Sequence, residues 1–222
     1  MLFRSEYLAH VWGNVVNGCG FQMDFFIHQA GYYPKGGGHF HVEISPFGPV
    51  HPVRFTERKP LEEMEAICVL SGLPEHIAQR EFEVLERELG KRKIPAHFHR
   101  SIKSYPSPGP GNMLLFKARF GKAHAGFSVI GERGKPAEKV GREVAQEFMA
   151  YLESEAPVER HLADQLLLPL CLAQGVSTYR VSEISQHLLT NAHIIGFFAG
   201  VKIEVSGEEG KSGTVTVDPA GF

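Results

Sequence analysis

At 222 residues with 43% hydrophobic composition, the chain is long enough to bury one large core or two small ones. A charged fraction of 22%, a formal net charge of -2 and a pI near 6.6 exclude a generally basic surface, so contact with nucleic acid would need a local patch. Three widely spaced cysteines, Cys19, Cys68 and Cys171, exclude a disulfide framework or a zinc site built on cysteine pairs, and no apolar run approaches the ~18 to 20 residues that cross a bilayer. The expectation is a cytoplasmic protein with no membrane segment.

Met1-Leu2-Phe3-Arg4-Ser5 reads as a translated adapter scar rather than as part of the fold. From Glu6 to Val16, Leu8, Val11, Trp12 and Val15 recur at helical spacing, and Gly20 to His28 turns to strand-like aromatics. Tyr32-Tyr33-Pro34-Lys35-Gly36-Gly37-Gly38 is a turn, followed by strands at His39 to Ile44 and Val53 to Thr56.

The character changes near Lys59-Pro60, and a unit with its own strands and helices runs to about Glu155. It holds a strand at Met64 to Leu70 and a helix after Pro74 with Ala78, Phe82, Leu85 and Leu89 on one face. Strand segments flank the turn Ser107-Pro108-Gly109-Pro110-Gly111, and a second amphipathic helix from Pro136 carries Val140, Val144, Phe148 and Leu152. This predicts a small two-layer α/β domain inserted at 60–155, between segments 1–59 and 156–222.

After Pro157, His161 to Ala173 is rich in leucine (Leu162, Leu166, Leu167, Leu168, Leu170) and predicts an almost wholly buried helix. A strand at Thr178 to Ile184, a helix from about Gln186 to Phe198 and strands at Val201 to Val205 and Thr214 to Val217 complete an α+β chain. Helix-strand-strand groups at the two ends could be copies of one structural unit.

Three segments carry more than packing. Gly31 to Gly38 offers backbone amides and Lys35 to a phosphate, or is a tight turn between strands. On a helix, His161 lies over Asp164 and Gln165, giving a leucine-rich element one polar face. Asp164 must then be paired, bound to a cation or open to a cleft, because a buried carboxylate without partners costs several kcal/mol. At Ser185-Gln186-His187-Leu188-Leu189-Thr190-Asn191 a strand hands over to a helix, whose first turn attracts phosphate and favours a neutral, nucleophilic His187. His193, among apolar residues, reads as structural.

Gly-Tyr-Tyr-Pro-Lys-Gly-Gly-Gly, His-Leu-Ala-Asp-Gln-Leu and His-Leu-Leu-Thr-Asn stand in this order as in the RNA 3'-terminal phosphate cyclases, which the chain resembles from Glu6 onward, including its Gly109-Pro110-Gly111-Asn112 turn. One departure is Ala30, where that family usually has a basic residue. The resemblance implies repeated α/β units of a large domain with a thioredoxin-like domain inserted in the last. It implies that this chain is the C-terminal two thirds, beginning inside the second repeat, without the Gly- and Arg-rich opening segment and its acidic residue near the metal. Loss of that segment would leave apolar surface at Leu8, Val11 and Trp12.

The resemblance also implies an ATP-dependent reaction with Mg2+ or Mn2+ on RNA bearing a 3'-phosphate end. His187 takes AMP covalently, AMP passes to the RNA phosphate, and the 2'-hydroxyl closes a 2',3'-cyclic phosphate. Residues 161–165 (His161, Leu162, Ala163, Asp164, Gln165) would contact the nucleotide. The metal ligands are not identified in this sequence. The alternative is a non-catalytic cyclase-like protein of ribosome assembly, from which a histidine at 187 distinguishes the enzyme. A small-molecule transferase on a similar repeated unit would need a substrate-binding motif that the sequence does not display.

Overall fold

The computed structural model describes residues 5–94 and 97–221, so the scar reading of residues 1–4 lies outside the described residues. The chain opens on a continuous helical stretch: α1 (Ser5–Tyr7), a π-helical segment (Leu8–Trp12) and α2 (Gly13–Gly18). Then come β1 (Met23–Gln29) and β2 (His39–Ile44), which pair antiparallel and, among the described residues, only with each other, and a short β3 (Arg54–Phe55).

A second group follows: β4 (Glu63–Ser71), α3 (His76–Lys91), β5 (His99–Ser104), β6 (Gly111–Phe120), β7 (Ala123–Ile130) and α4 (Ala137–Glu153). Its four strands lie in the order β5-β4-β6-β7, with β4 and β5 parallel and the other pairs antiparallel. Both faces of this sheet are covered, which explains why β4 reads as a nearly unbroken apolar run rather than an alternation. Ala66, Cys68, Leu70, Leu114 and Phe116 pack against α3 and α4. Ile67, Val69, Met113 and Leu115 point the other way, onto Tyr7 and Val11 of the opening helix and Tyr32 of the turn. Strand β7 is hard to read from sequence because small residues replace the usual β-branched ones. At Gly126 a Cβ would run into Val11, so the glycine lets helix and strand approach.

The chain then returns to the first body through α5 (Arg160–Gln165), α6 (Leu167–Leu170), β8 (Ser177–Val181), α7 (Gln186–Ala199), β9 (Lys202–Ser206) and β10 (Gly213–Asp218). A sheet in the order β3-β8-β10-β9 joins the strand before the second group to those after it, β3 running parallel to β8. The core beneath it unites Val15, Val50, Val53, Leu162, Leu166, Tyr179, Leu188 and Val215. The described residues therefore form a mixed α/β structure with several sheets. No helix among them is long and apolar enough to cross a membrane, and the three cysteines are free.

Three expectations need correction. The leucine-rich stretch is two short helices, not one buried helix: the chain breaks at Leu166, Pro169 contributes no amide donor, and Leu168 and Leu172 stand 61% and 62% exposed. His193 is exposed on the outer side of α7. Val11 is fully buried, with Leu8 and Trp12 half-buried, because the second sheet covers that helix. The open apolar side chains lie elsewhere, most notably Phe197 and Phe198 at the end of α7.

One buried carboxylate fastens the opening helix to the edge strand β5. Glu6 is fully buried and accepts from Lys103 Nζ at 2.9 Å and Tyr105 OH at 2.8 Å, with His10 Nε2 at 3.0 Å. Burial alone would push its pKa up, but the hydrogen bonds from His10 and Lys103 and the Lys103 charge hold it down to about 2, against an ordinary 4.5. A depressed folded pKa contributes stability that is present above pH 4.5 and lost as pH falls towards 2. Denaturant melts should show Glu6→Gln destabilised at pH 7 by about 3 to 5 kcal/mol, because Lys103 is left without its counter-charge. The variant should also lose less stability than the parent between pH 4.5 and pH 2, and an unchanged acid limb would show that Glu6 does not act as an ion pair.

Candidate functional site

The polar face expected on residues 161–165 lies on α5, whose orientation is fixed from below. Glu159, the residue before the helix, accepts from the backbone N–H of His161 (2.6 Å) and Leu162 (2.9 Å), satisfying two amides that a helix start leaves open. Tyr7 OH donates to the same carboxylate. Burial pushes the Glu159 pKa up to about 7, while the hydrogen bonds from Tyr7, His161 and Leu162 oppose that rise. Farther along, Tyr179 OH donates to the Ala163 carbonyl (2.8 Å) and Trp12 Nε1 to the Gln165 carbonyl (3.1 Å). A six-residue helix too short to be stable alone is thus held by side chains from the opening helix and from β8.

α7 supplies the opposite wall. Ser185 caps it, its Oγ accepting from the Leu188 N–H at 3.2 Å, and a left-handed Gly200 ends it. His187 is in the first turn and exposed. The two helices are tied together where Asn191 Nδ2 donates to Asp164 Oδ2 at 2.8 Å.

Between them lies a cleft of about 440 Å³ lined by Arg160, His161, Asp164, Gln165, Glu183, Ser185 and His187. Four residues singled out in the sequence, His161, Asp164, Gln165 and His187, therefore meet in one place although they come from two segments. Arg160 Nε donates to His161 Nε2 at 3.3 Å and its guanidinium lies 3.7 Å from Glu183. Gln165 Oε1 is buried with no hydrogen-bond partner among the described residues, an acceptor suited to a donor brought by a ligand. Leu162 and Ala163 do not join the cleft by their side chains. Both are buried in the core, because a helix that shows i, i+3 and i+4 to solvent turns i+1 and i+2 inward.

The glycine-rich turn is not among the residues lining this cleft. Its glycines answer a packing demand: a Cβ at Gly31 would strike the backbone of Gly38, and Gly36 and Gly37 adopt φ of +64° and +79°. Lys35 Nζ donates to the Pro108 carbonyl at 2.8 Å, and a Cβ at Gly111 would overlap the Tyr32 ring, so the two glycine turns interlock. Ala30, in place of a basic residue, is fully buried, its N–H donating to the Pro106 carbonyl at 2.9 Å.

Sequence reasoning missed Arg160 and Glu183 in the cleft and Glu159 beneath it, and quoted Ser185 only as the opening of its segment. Ser185 carries a legible signal, a serine just before a helical run. Glu159 does not resemble a usual helix cap, and its partner Tyr7 is 152 residues away. Among the described residues, no three of His, Cys, Asp and Glu stand ready to hold a metal ion.

The RNA 3'-terminal phosphate cyclase family model matches residues 3–205. The chain is 33% identical over 204 residues to the RNA 3'-terminal phosphate cyclase of Gloeothece citriformis, covering 92% of this chain and 58% of that protein. It is 33% identical over 229 residues to the protein of the same name from Methanopyrus kandleri, covering 97% and 63%, and 35% identical over 213 residues to that of Thermococcus onnurineus, covering 96% and 62%. The chain spans less than two thirds of these relatives' length, and the matches do not place that share at either end, so the C-terminal two thirds is not borne out in that detail. With a family model covering most of its length and relatives above 30% identity, the chain belongs to the RNA 3'-terminal phosphate cyclase family.

Proposed function

We propose that this chain carries part or all of an ATP-dependent activity that converts an RNA 3'-terminal phosphate to a 2',3'-cyclic phosphate, with His187 as the nucleophile. The observation behind this reading is the convergence of His187 with His161, Asp164 and Gln165 on one cleft, in a chain whose relatives bear the cyclase name. Fold alone would not carry it. An imidazole nitrogen of His187 attacks the α-phosphorus of ATP: an N–P bond forms, the bond to the bridging oxygen breaks, and pyrophosphate leaves with its electron pair. An oxygen of the RNA 3'-phosphate then displaces His187 from AMP, and the neighbouring 2'-hydroxyl, losing its proton, closes the ring with AMP as leaving group.

Each side chain has a task in this scheme. The α7 N-terminus directs backbone amides at phosphate oxygens beside His187. Gln165 Oε1 receives a nucleotide N–H or O–H donor, Asp164 is held at its station by Asn191, and His161 forms the wall beside Arg160. Leu162 and Ala163 serve the nucleotide indirectly, by anchoring α5 in the core. Mg2+ or Mn2+ belongs to the reading as a counter-charge to the triphosphate. The cleft carboxylates do not form a ready metal set with other ligands, so no protein ligand is assigned and no step is routed through the ion.

The same reading takes residues 60–155 as an inserted thioredoxin-like domain, and 1–59 and 156–222 as parts of the catalytic domain of repeated α/β units. In support, β3 and β8 pair across that whole stretch, and its strands and helices run β-α-β then β-β-α, with the parallel pair at one side of the sheet. We place the protein in the cytoplasm.

Incubation with radiolabelled ATP and a divalent cation should yield an acid-labile, alkali-stable adduct, as a phosphoramidate on histidine requires. His187→Ala should reduce it to background, and undiminished labelling of that variant would show the nucleophile to be elsewhere. Asp164→Ala should lower adenylation by about 100-fold, the scale seen when one preorganised polar group is removed from a site. It should cost only about 1 kcal/mol of stability through the lost Asn191 bond. A large fall in melting temperature with normal adenylation per folded molecule would make Asp164 structural instead.

A further inference from the structure

Glu159 does not line the cleft between α5 and α7, and no step of the proposed adenylation uses it. It is 1% exposed and lines a smaller cavity of about 140 Å³, which shares Arg160, His161 and Glu183 with the cleft. The first turn of α5 is therefore common to both. A buried carboxylate is a costly way to cap a helix, because its desolvation must be recovered from its partners. Ser185 caps α7 in the same chain without a charge.

What the longer side chain adds is a third partner on another element. Glu159 Oε2 accepts from the His161 N–H at 2.6 Å. Its Oε1 accepts from the Leu162 N–H at 2.9 Å and from Tyr7 OH on the opening helix. Three donors thus meet two oxygens, a pattern suited to an ionised carboxylate, which has acceptors only. The carboxylate joins the start of α5 to a tyrosine whose ring is itself packed against Ile67, Val69, Met113 and Leu115. Trp12 and Tyr179 hold the carbonyls of Gln165 and Ala163, in the second half of α5. Glu159 is the anchor at the end where Arg160 and His161 enter the cleft.

We propose that Glu159, tied to Tyr7, is a positioning residue for adenylation: it fixes the angle at which α5 presents His161, Asp164 and Gln165 to the nucleotide. This rests on the reading of the cleft given above. His161, Asp164 and Gln165 share one face at spacings of three and four, so a rotation of the helix moves all three together. His187 stands on α7, which has its own cap, and the loss expected on loosening α5 is one of nucleotide binding more than of attack. Such a loss raises KM for ATP and leaves kcat nearly unchanged.

The test measures adenylation of the whole chain over a range of ATP concentrations at pH 8, above the pKa of about 7 to which burial lifts Glu159. Tyr7→Phe keeps the ring and removes only the hydroxyl. Together with Glu159→Gln, it should raise KM for ATP by about 10-fold or more while kcat stays within about threefold, a scale below the ~100-fold that a 1 Å misplacement can cost. Because both variants break one contact, their effects should not add in the double variant. Glu159→Asp, which retains acceptors for the two amides, should recover part of the loss. Amide exchange read without ATP should be faster at 160–165 and unchanged at 76–91 and 137–153, which shows that each variant is folded. Leu89→Val, which loosens the other core, should leave KM at the parent value. If Glu159→Gln does not fold, Tyr7→Phe decides alone. An unchanged KM in the folded variants, or an equal rise in Leu89→Val, overturns the proposal and leaves Glu159 a structural cap. A parent chain that forms no adduct at His187 sinks the proposed function and this inference with it, whereas a labelled parent with unaffected variants sinks this inference alone.

Discussion

The rest of the site depends on the buried carboxylate of Glu159. It receives Tyr7 OH from the first described turn of the chain and the two leading amides of α5, so one side chain fixes where the opening helix, the sheet and α5 meet. An unpaired carboxylate buried this deeply would be prohibitive. Three donors make it tolerable, although its pKa still rises to about 7. The cost has a structural return: α5 is only six residues long and cannot choose its own orientation. With Trp12 and Tyr179 holding its later carbonyls, it is fixed at its start, middle and end.

The second sheet is bound into the same arrangement through its inner face. Ile67, Val69, Met113 and Leu115 bury against Tyr7 and Val11, the helix that also serves Glu159. Glu6 and its partners Lys103 and Tyr105 lock the edge of that contact, and the interlocked glycine turns lock its far end. Tyr7 is thus shared between the inner face of the second sheet and the Glu159 carboxylate that orients α5.

Local pattern made most of the fold legible. The helices at 76–91 and 137–153 announce themselves by apolar periodicity, and β4 by its apolar run. The polar face of α5 was readable too, since His161, Asp164 and Gln165 obey helical spacing and do share the cleft. What stayed hidden depends on long-range contact. β7 is disguised by Gly126, which is small because Val11 and Tyr7 press on it. Glu159 is unremarkable until Tyr7 is placed beside it. Conversely, the triple glycine could be read as a phosphate cradle or as a tight turn, because glycine's lack of a Cβ serves close backbone packing and anion binding alike. Its neighbours account for the glycines by packing, Gly37 lying against Pro108 and Gly31 against Gly38.

The charge balance of the cleft constrains the chemistry it can support. Its lining offers one guanidinium, Arg160, against two carboxylates, Asp164 and Glu183, and Arg160 is already shared with Glu183. Side-chain charge alone would therefore repel a triphosphate rather than collect it. The favourable field comes from the backbone: α7 is a full helix whose capped N-terminus sits where His187 does, and its first amides carry fixed partial positive charge that needs no reorganisation. That dipole falls off within a turn, so under the proposed ATP reading it would serve the phosphate nearest His187 and not those beyond it. The outer phosphates would then have to bring cations with them or meet positive groups from outside this lining, and nucleotide capture would be cooperative rather than a property of α5 and α7 alone.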